Sequence, residues 1–179
     1  MIPAGMRAFI RVFLAVLFSA ASLSADSGYS FGITNAARKI GAEKQQKSGV
    51  NLSNEEWVYD ITIENKSFKD VQNIEIKYII FERPQNASEV GAKRVMVRKQ
   101  GEKTVPTMKN LEKVTLTTES IERTTIQLKP GYVWKSGSGN RQSKDSMSGL
   151  WVRVFVNGQQ VMEFMNPQSL SANEKWDYK

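Results

Sequence analysis

Four groups of residues in this chain have types and spacings that could do chemistry. Glu55–Glu56 and Glu119–Glu122 are acidic pairs close together in the sequence. General acid–base work needs two carboxyl groups converging on one reacting bond. Neighbouring strand residues point to opposite faces, so both pairs read as solvated surface. The second group, "GSGNRQSK" at residues 137–144, has the look of a phosphate loop. Gln142 stands where the second glycine belongs and no helix follows, so a flexible loop is expected.

The third group is basic: Lys93, Arg94, Arg98, Lys99 and Lys103. Such a run either guards a sheet edge against pairing with other chains or contacts a polyanion. The fourth is the stretch "GLWVRVFVNGQQVMEFMNP", residues 149–167. Asn-Gly between two alternating runs predicts a hairpin with a type I′ turn. With Val156 opposite Gln159, one face holds Leu150, Val152, Val154, Val156, Val161 and Met165, with Glu163 as the exception. The other holds Trp151, Arg153, Phe155, Gln160, Met162 and Phe164, with Trp151 opposite Phe164. Trp151, Arg153, Phe155, Met162 and Phe164 have the composition of an interface core. Either a partner covers that face or the chain's own ends do, through Trp176 or Phe31, with the Arg153 stem lying on the rings.

The 179 residues include no His and no Cys. That excludes Ser-His-Asp triads, thiol nucleophiles, His/Cys zinc sites and His-ligated haem. No Asp-x-Asp-x-Asp-Gly calcium loop is present. No catalytic residue, cofactor or metal is expected.

The elements that position these groups are strands. "WVYDITIEN" puts Trp57, Tyr59, Ile61 and Ile63 on one face. "NIEIKYIIFE" puts Ile74, Ile76, Tyr78 and Ile80 inward, and the two runs read as a hairpin around "KSFKD". Residues 83–91 read as a loop, 93–100 as a short basic edge strand, and 101–110 as a connection. "LEKVTLTTESI" directs Val114 and Leu116 inward. "TTIQLKPGYVW" is a strand ending in a Pro-Gly turn. Residues 135–149 form a Gly/Ser-rich polar loop. Residues 31–47 read as a strand that continues as a polar arm. The tail shows Trp176 and Tyr178 as exposed aromatics. About seven short strands without strand–helix alternation predict an all-β antiparallel sandwich, with an up-and-down barrel as the alternative.

Residues 1–25 read as a secretory signal peptide: Arg7 and Arg11, an apolar run at residues 12–21, then "SLSA". Cleavage after Ser24 or Ala25 fits equally well. The run is shorter than the roughly 20 residues of a membrane span, and no later segment approaches that length. Residues 26–179 are expected to form one domain with no transmembrane helix. The formal charge is +7, a basic excess too modest to imply nucleic acid. An exported chain without Cys points to a bacterial envelope. The expected location is therefore periplasmic, outer membrane-associated or extracellular. Three Asn-x-Ser sequons, at Asn51, Asn65 and Asn86, fit chance in a chain rich in Asn and Ser.

"WVYDITIENKSFKDVQNIEIKYIIFER" followed by "GLWVRVFVNGQQVMEFMNPQSL" resembles a family of small exported immunoglobulin-like proteins of type IV pilus-like gene clusters in mucin-colonising gut bacteria. The resemblance spans roughly residues 57–176 and its motifs are fold signatures. It implies an immunoglobulin-like sandwich related to the globular domains of archaeal type IV pilins. It also implies a non-enzymatic role in pilus-like assembly, adhesion or host contact, with a protein partner or self-association. One departure matters. A pilin keeps a long apolar N-terminal helix with a Glu near its start, whereas residues 5–22 contain Arg11 and no acid. An accessory protein is therefore expected. The alternative is a mucin- or glycan-binding adhesin using Trp134, residues 135–149 or the basic strand. An enzyme using carboxylates alone would need two acids meeting in a pocket.

Overall fold

Alternating apolar residues must find a second layer to bury against, and two sheets stacked face to face provide it. The computed structural model describes residues 28–84, 96–134 and 140–179. The expected signal segment, residues 85–95 with Lys93 and Arg94, and residues 135–139 lie outside that set. Nine strands occur among the described residues: β1 Phe31–Lys47, β2 Val50–Asn65, β3 Val71–Arg83, β4 Val97–Met108, β5 Lys113–Thr117, β6 Ile121–Leu128, β7 Gln142–Lys144, β8 Ser146–Val156 and β9 Gln159–Asn166. One short helix, α1 Leu170–Asn173, follows.

The first sheet runs β1-β2-β6-β7, with β5 also paired to β2; the second runs β4-β3-β8-β9. Every pairing is antiparallel. This is the predicted all-β antiparallel sandwich, with nine strands in place of about seven. Its core joins Tyr59, Ile61, Ile63 and Ile121 from the first sheet to Ile74, Ile76, Tyr78, Ile80, Leu150, Val152 and Val154 from the second. Val114 and Leu116 pack against it from β5, as the alternation requires.

Four expectations need correction. β2 and β3 do not form a hairpin; the chain crosses at residues 66–70 from one sheet to the other. The basic strand does not stop at Gln100 but runs on to Met108 through the presumed connection, and Pro106 is tolerated because β4 is an edge. Part of the presumed 135–149 loop is ordered as β7 and the start of β8. Phe31 lies in the core, not over the hairpin. The N-terminal arm is a strand throughout, paired with β2 from Phe31–Asn65 to Lys47–Val50. Its outer half, with β2, β6 and β7, extends the first sheet beyond β3 and β8. Leu52 and Ile126 pair there on a two-sided, largely polar ribbon.

Candidate functional site

The β8–β9 hairpin turns at Asn157 and Gly158, both with positive φ (50° and 79°), as a type I′ turn demands. Asn73, also left-handed, donates its side-chain amide to Asn157 Oδ1 at 3.0 Å and braces the turn. Beyond Phe155–Gln160 the register shifts, so that Val154 faces Met162, Arg153 faces Glu163, Val152 faces Phe164 and Trp151 faces Met165. Val161 is the extra residue of a bulge, which re-aims everything after it.

That bulge corrects the predicted face. Trp151, Arg153 and Phe155 share a face, but Met162 and Phe164 turn to the other side and pack on the main core. Glu163 and Met165 replace them. Glu163 accepts from Trp151 Nε1 at 3.0 Å and from Arg153 Nε at 2.7 Å. The one acid that broke the aliphatic pattern was the available signal, because a carboxylate cannot be left unpaired in a core.

The outer face of the second sheet carries its own small apolar cluster. Ile79, Phe81, Trp151 and Leu170 are buried there, with Met96, Met165, Trp176 and Tyr178 packed around them. Trp151 is only 5% exposed. Its cover is the C-terminal tail. Trp176 meets Trp151 edge-on with centroids 5.8 Å apart, and Tyr178 stacks on Trp176 at 5.7 Å. The Arg153 guanidinium sits 4.5 Å from the Trp176 ring centre, so its charge faces the ring quadrupole. Gln100 on β4 reads the tail's backbone: its amide N–H donates to Asp177 O at 2.8 Å, and its Oε1 accepts from Lys179 N–H at 3.0 Å. The tail is therefore bound as an extended segment with two aromatic anchors. Trp176 and Tyr178 are half-buried, not exposed.

The basic run is split by strand alternation. Arg98 points outward and pairs with Glu174 at 2.7 Å and with Asp177, so it clamps the tail. The Glu174 hydrogen bond raises its pKa. Lys99 points to the inner rim and donates to Ser120 O at 3.4 Å. Lys103 shares that inner side, opposite Ile76. Arg98, Lys99 and Lys103 therefore present no common basic face. Gly101 lies between them because the Tyr78 ring crosses it; a Cβ there would sit 2.2 Å from the ring. Tyr78 Oη accepts from Glu119 N–H at 3.2 Å, in the link between β5 and β6 of the opposite sheet.

At the β6–β7 corner, the Arg123 guanidinium lies 5.0 Å from the Trp57 ring centre and donates to Asp145 O. Glu82 Oε1 is buried there without a hydrogen-bond partner. Burial pushes the Glu82 carboxyl up, against the pull of the Lys99 charge. Glu55 is instead taken up by Trp57 Nε1 at 3.1 Å and Lys39 at 3.3 Å, and the Trp57 bond lowers its pKa. Glu55 and Glu56 face opposite ways, as expected. Among the described residues no group of three acids could hold a metal ion, and no helix is long and apolar enough to cross a membrane.

On the sheet extension, a shallow hollow of about 260 Å³ is lined by side chains including Lys44, Gln46, Asn51, Ser53 and Gln127. Tyr132, 51% exposed, packs on the Gly49 turn at the tip, and Trp134 donates to Asn140 O at 2.7 Å.

No family model matches the chain, and no curated protein matches it. Two solved structures align over most of its length. One is a target of the Northeast Structural Genomics Consortium, 11% identical with a TM-score of 0.38, aligned over 84% of this chain and 97% of its own. The other is a protein from Akkermansia muciniphila, 12% identical with a TM-score of 0.23, aligned over 82% and 73%. Neither likeness is close enough to carry a functional inference.

Proposed function

We propose that this chain is an exported, non-enzymatic sandwich module that works by protein–protein contact in a cell-envelope or type IV pilus-like assembly. The observation that supports this reading is the outer face of β4-β3-β8-β9. It takes up an extended segment through Trp151, Arg153 and Gln100, and the chain's own residues 174–179 occupy it. Aromatic anchors in apolar surroundings, with the backbone read by a side-chain amide, are how folded domains hold peptide segments. A partner's segment of like chemistry would compete with the tail for the same contacts.

The test is a pull-down from the native envelope with the intact protein, Trp176→Ala, and a form ending at Asn173. Pilus-like components should co-purify, and more strongly once the tail is loosened or absent. If none of the three forms retains such components, the reading is wrong.

A second reading, glycan contact, draws on the polar hollow and the exposed Tyr132. Retention on immobilised mucin that is lost in Asn51→Ala/Gln127→Ala would favour it over the first.

A further inference from the structure

The turns at residues 66–70 and 109–112 lie side by side at one end of the sandwich and are built around a single buried side chain. Asn65 is fully buried. Its amide donates to Lys69 O at 2.9 Å and Lys109 O at 3.0 Å, and its Oδ1 accepts from Ser67 N–H at 3.0 Å. Its backbone carbonyl accepts from Leu111 N–H at 2.9 Å. Asp70 receives Asn110 N–H at 3.0 Å and Glu112 receives Lys109 N–H at 2.6 Å. Both turns are therefore held rigidly.

What they hold out is apolar. Phe68 is 98% exposed and Leu111 is 64% exposed. Leu111 also has φ 61°, a conformation that suits Gly or Asn and strains a leucine. A strained apolar residue held exposed on a braced turn points to use, not to packing. Around the two tips stand the exposed Lys66, Lys69, Lys109 and Lys113. The acids of the same region are already engaged. Asp70 and Glu112 accept from backbone N–H groups, and Glu64 lies between Lys66 at 3.8 Å and Lys113 at 3.5 Å.

The chain also enters the domain here. Lys66 N–H donates to Ser30 O at 2.8 Å, Ser30 N–H donates to Ser67 Oγ at 2.9 Å, and Lys69 lies 4.3 Å from the Tyr29 ring centre. The sequence ahead of Gly28 contains the apolar run at residues 12–21. This end of the domain is therefore the one that directly follows that run in the chain.

We propose that this end, with Phe68 and Leu111 as insertion points and Lys66, Lys69, Lys109 and Lys113 as headgroup contacts, docks on an anionic membrane surface. Apolar tips enter the acyl boundary while lysines stay with the phosphates. The proposal does not depend on the tail-covered face; it sets which way that face is presented.

The chain has no Cys, so Asn110→Cys takes a single environment-sensitive dye beside Leu111, and Val133→Cys takes one at the far end. The full chain is titrated with mixed phosphatidylglycerol–phosphatidylcholine vesicles and with pure phosphatidylcholine. The dye at 110 should brighten and shift to the blue with the anionic vesicles, and the dye at 133 should not. Phe68→Ser should weaken binding about tenfold. Leu111→Asn should weaken it too while the melting temperature holds or rises, because the substitution relieves the backbone. Lys66→Gln/Lys109→Gln should weaken the preference for anionic lipid, with Lys69 and Lys113 holding the remainder. Equal responses at both dye positions, or vesicle binding unchanged by Phe68→Ser and Leu111→Asn, would overturn the proposal. That second outcome is what attachment through the N-terminal apolar run alone would give.

Discussion

Asn65→Ala is the most direct test of how this sandwich holds its N-terminal end. The amide group has two hydrogens, and Lys69 O and Lys109 O, at 2.9 and 3.0 Å, are the acceptors in good reach. Met108 O at 3.3 Å shares one of them. With the Ser67 N–H accepted by Oδ1, alanine removes three good hydrogen bonds at a buried site. At about 1 kcal/mol net for each, the loss is about 3 kcal/mol. For a domain of this size that lowers Tm by about 6–12 °C. Thermal melts and urea titrations followed by tryptophan fluorescence read it directly. Asn65→Asp separates hydrogen bonding from packing. At neutral pH a carboxylate oxygen faces carbonyl oxygens, so Asp should be worse than Ala. The folded state then favours the protonated acid, and Asp should recover as pH falls. A Tm loss below about 2 °C for Ala, or Asp and Ala alike at every pH, refutes this account of the turn pair. The sequon at Asn65 is thus a turn device, and its buried amide is closed to glycosylation in the folded protein.

Gly101→Ala should cost about 2–3 kcal/mol, because the new methyl displaces the Tyr78 ring and leaves Glu119 N–H without its acceptor. The cost should shrink when Tyr78→Val is already present. A double-mutant cycle by urea unfolding checks this, and simple additivity counts against it. Glu82→Gln should stabilise the protein at neutral pH. Burial raises the folded pKa of Glu82, so the native state binds more protons than the unfolded one. Stability then falls as pH rises from the ordinary carboxylate value to the raised one. Glutamine should remove that slope from urea midpoints measured across the acid-to-neutral range; an unchanged slope rejects the assignment.

The strands with clear alternation were legible because alternation is local, whereas the second half of β4 and all of β7 carry too little of it and read as connections. Trp57–Ile63, Ile74–Ile80, Val114 and Leu116 all face as their spacing requires. The sheet to which each strand belongs was not legible. A five-residue turn such as "KSFKD" serves a hairpin and a crossover between layers equally well. The β9 register failed for a related reason. A one-residue bulge has no composition of its own, and only the misplaced Glu163 betrayed it. The tail's docking was half-legible. An aromatic face needing cover and an aromatic tail were both visible, but the Gln100 and Arg98 contacts depend on β4 running beside β3. The Asn65 brace was hidden because its acceptors are backbone carbonyls, which carry no sequence signal.

The tail also gives the molecule an order of events. Residues 174–179 are made after every strand described above, and they close the cluster formed by Ile79, Phe81 and Trp151. Until they have emerged, that surface stays open beside "IKYIIF", a window with the strong β-propensity of aggregating segments. Glu75 before it, Lys77 within it, and Glu82 and Arg83 after it are the charges that restrain it in the meantime. A nascent or clipped chain lacking residues 174–179 is therefore the sticky form of this protein, and docking of that segment is what covers the face.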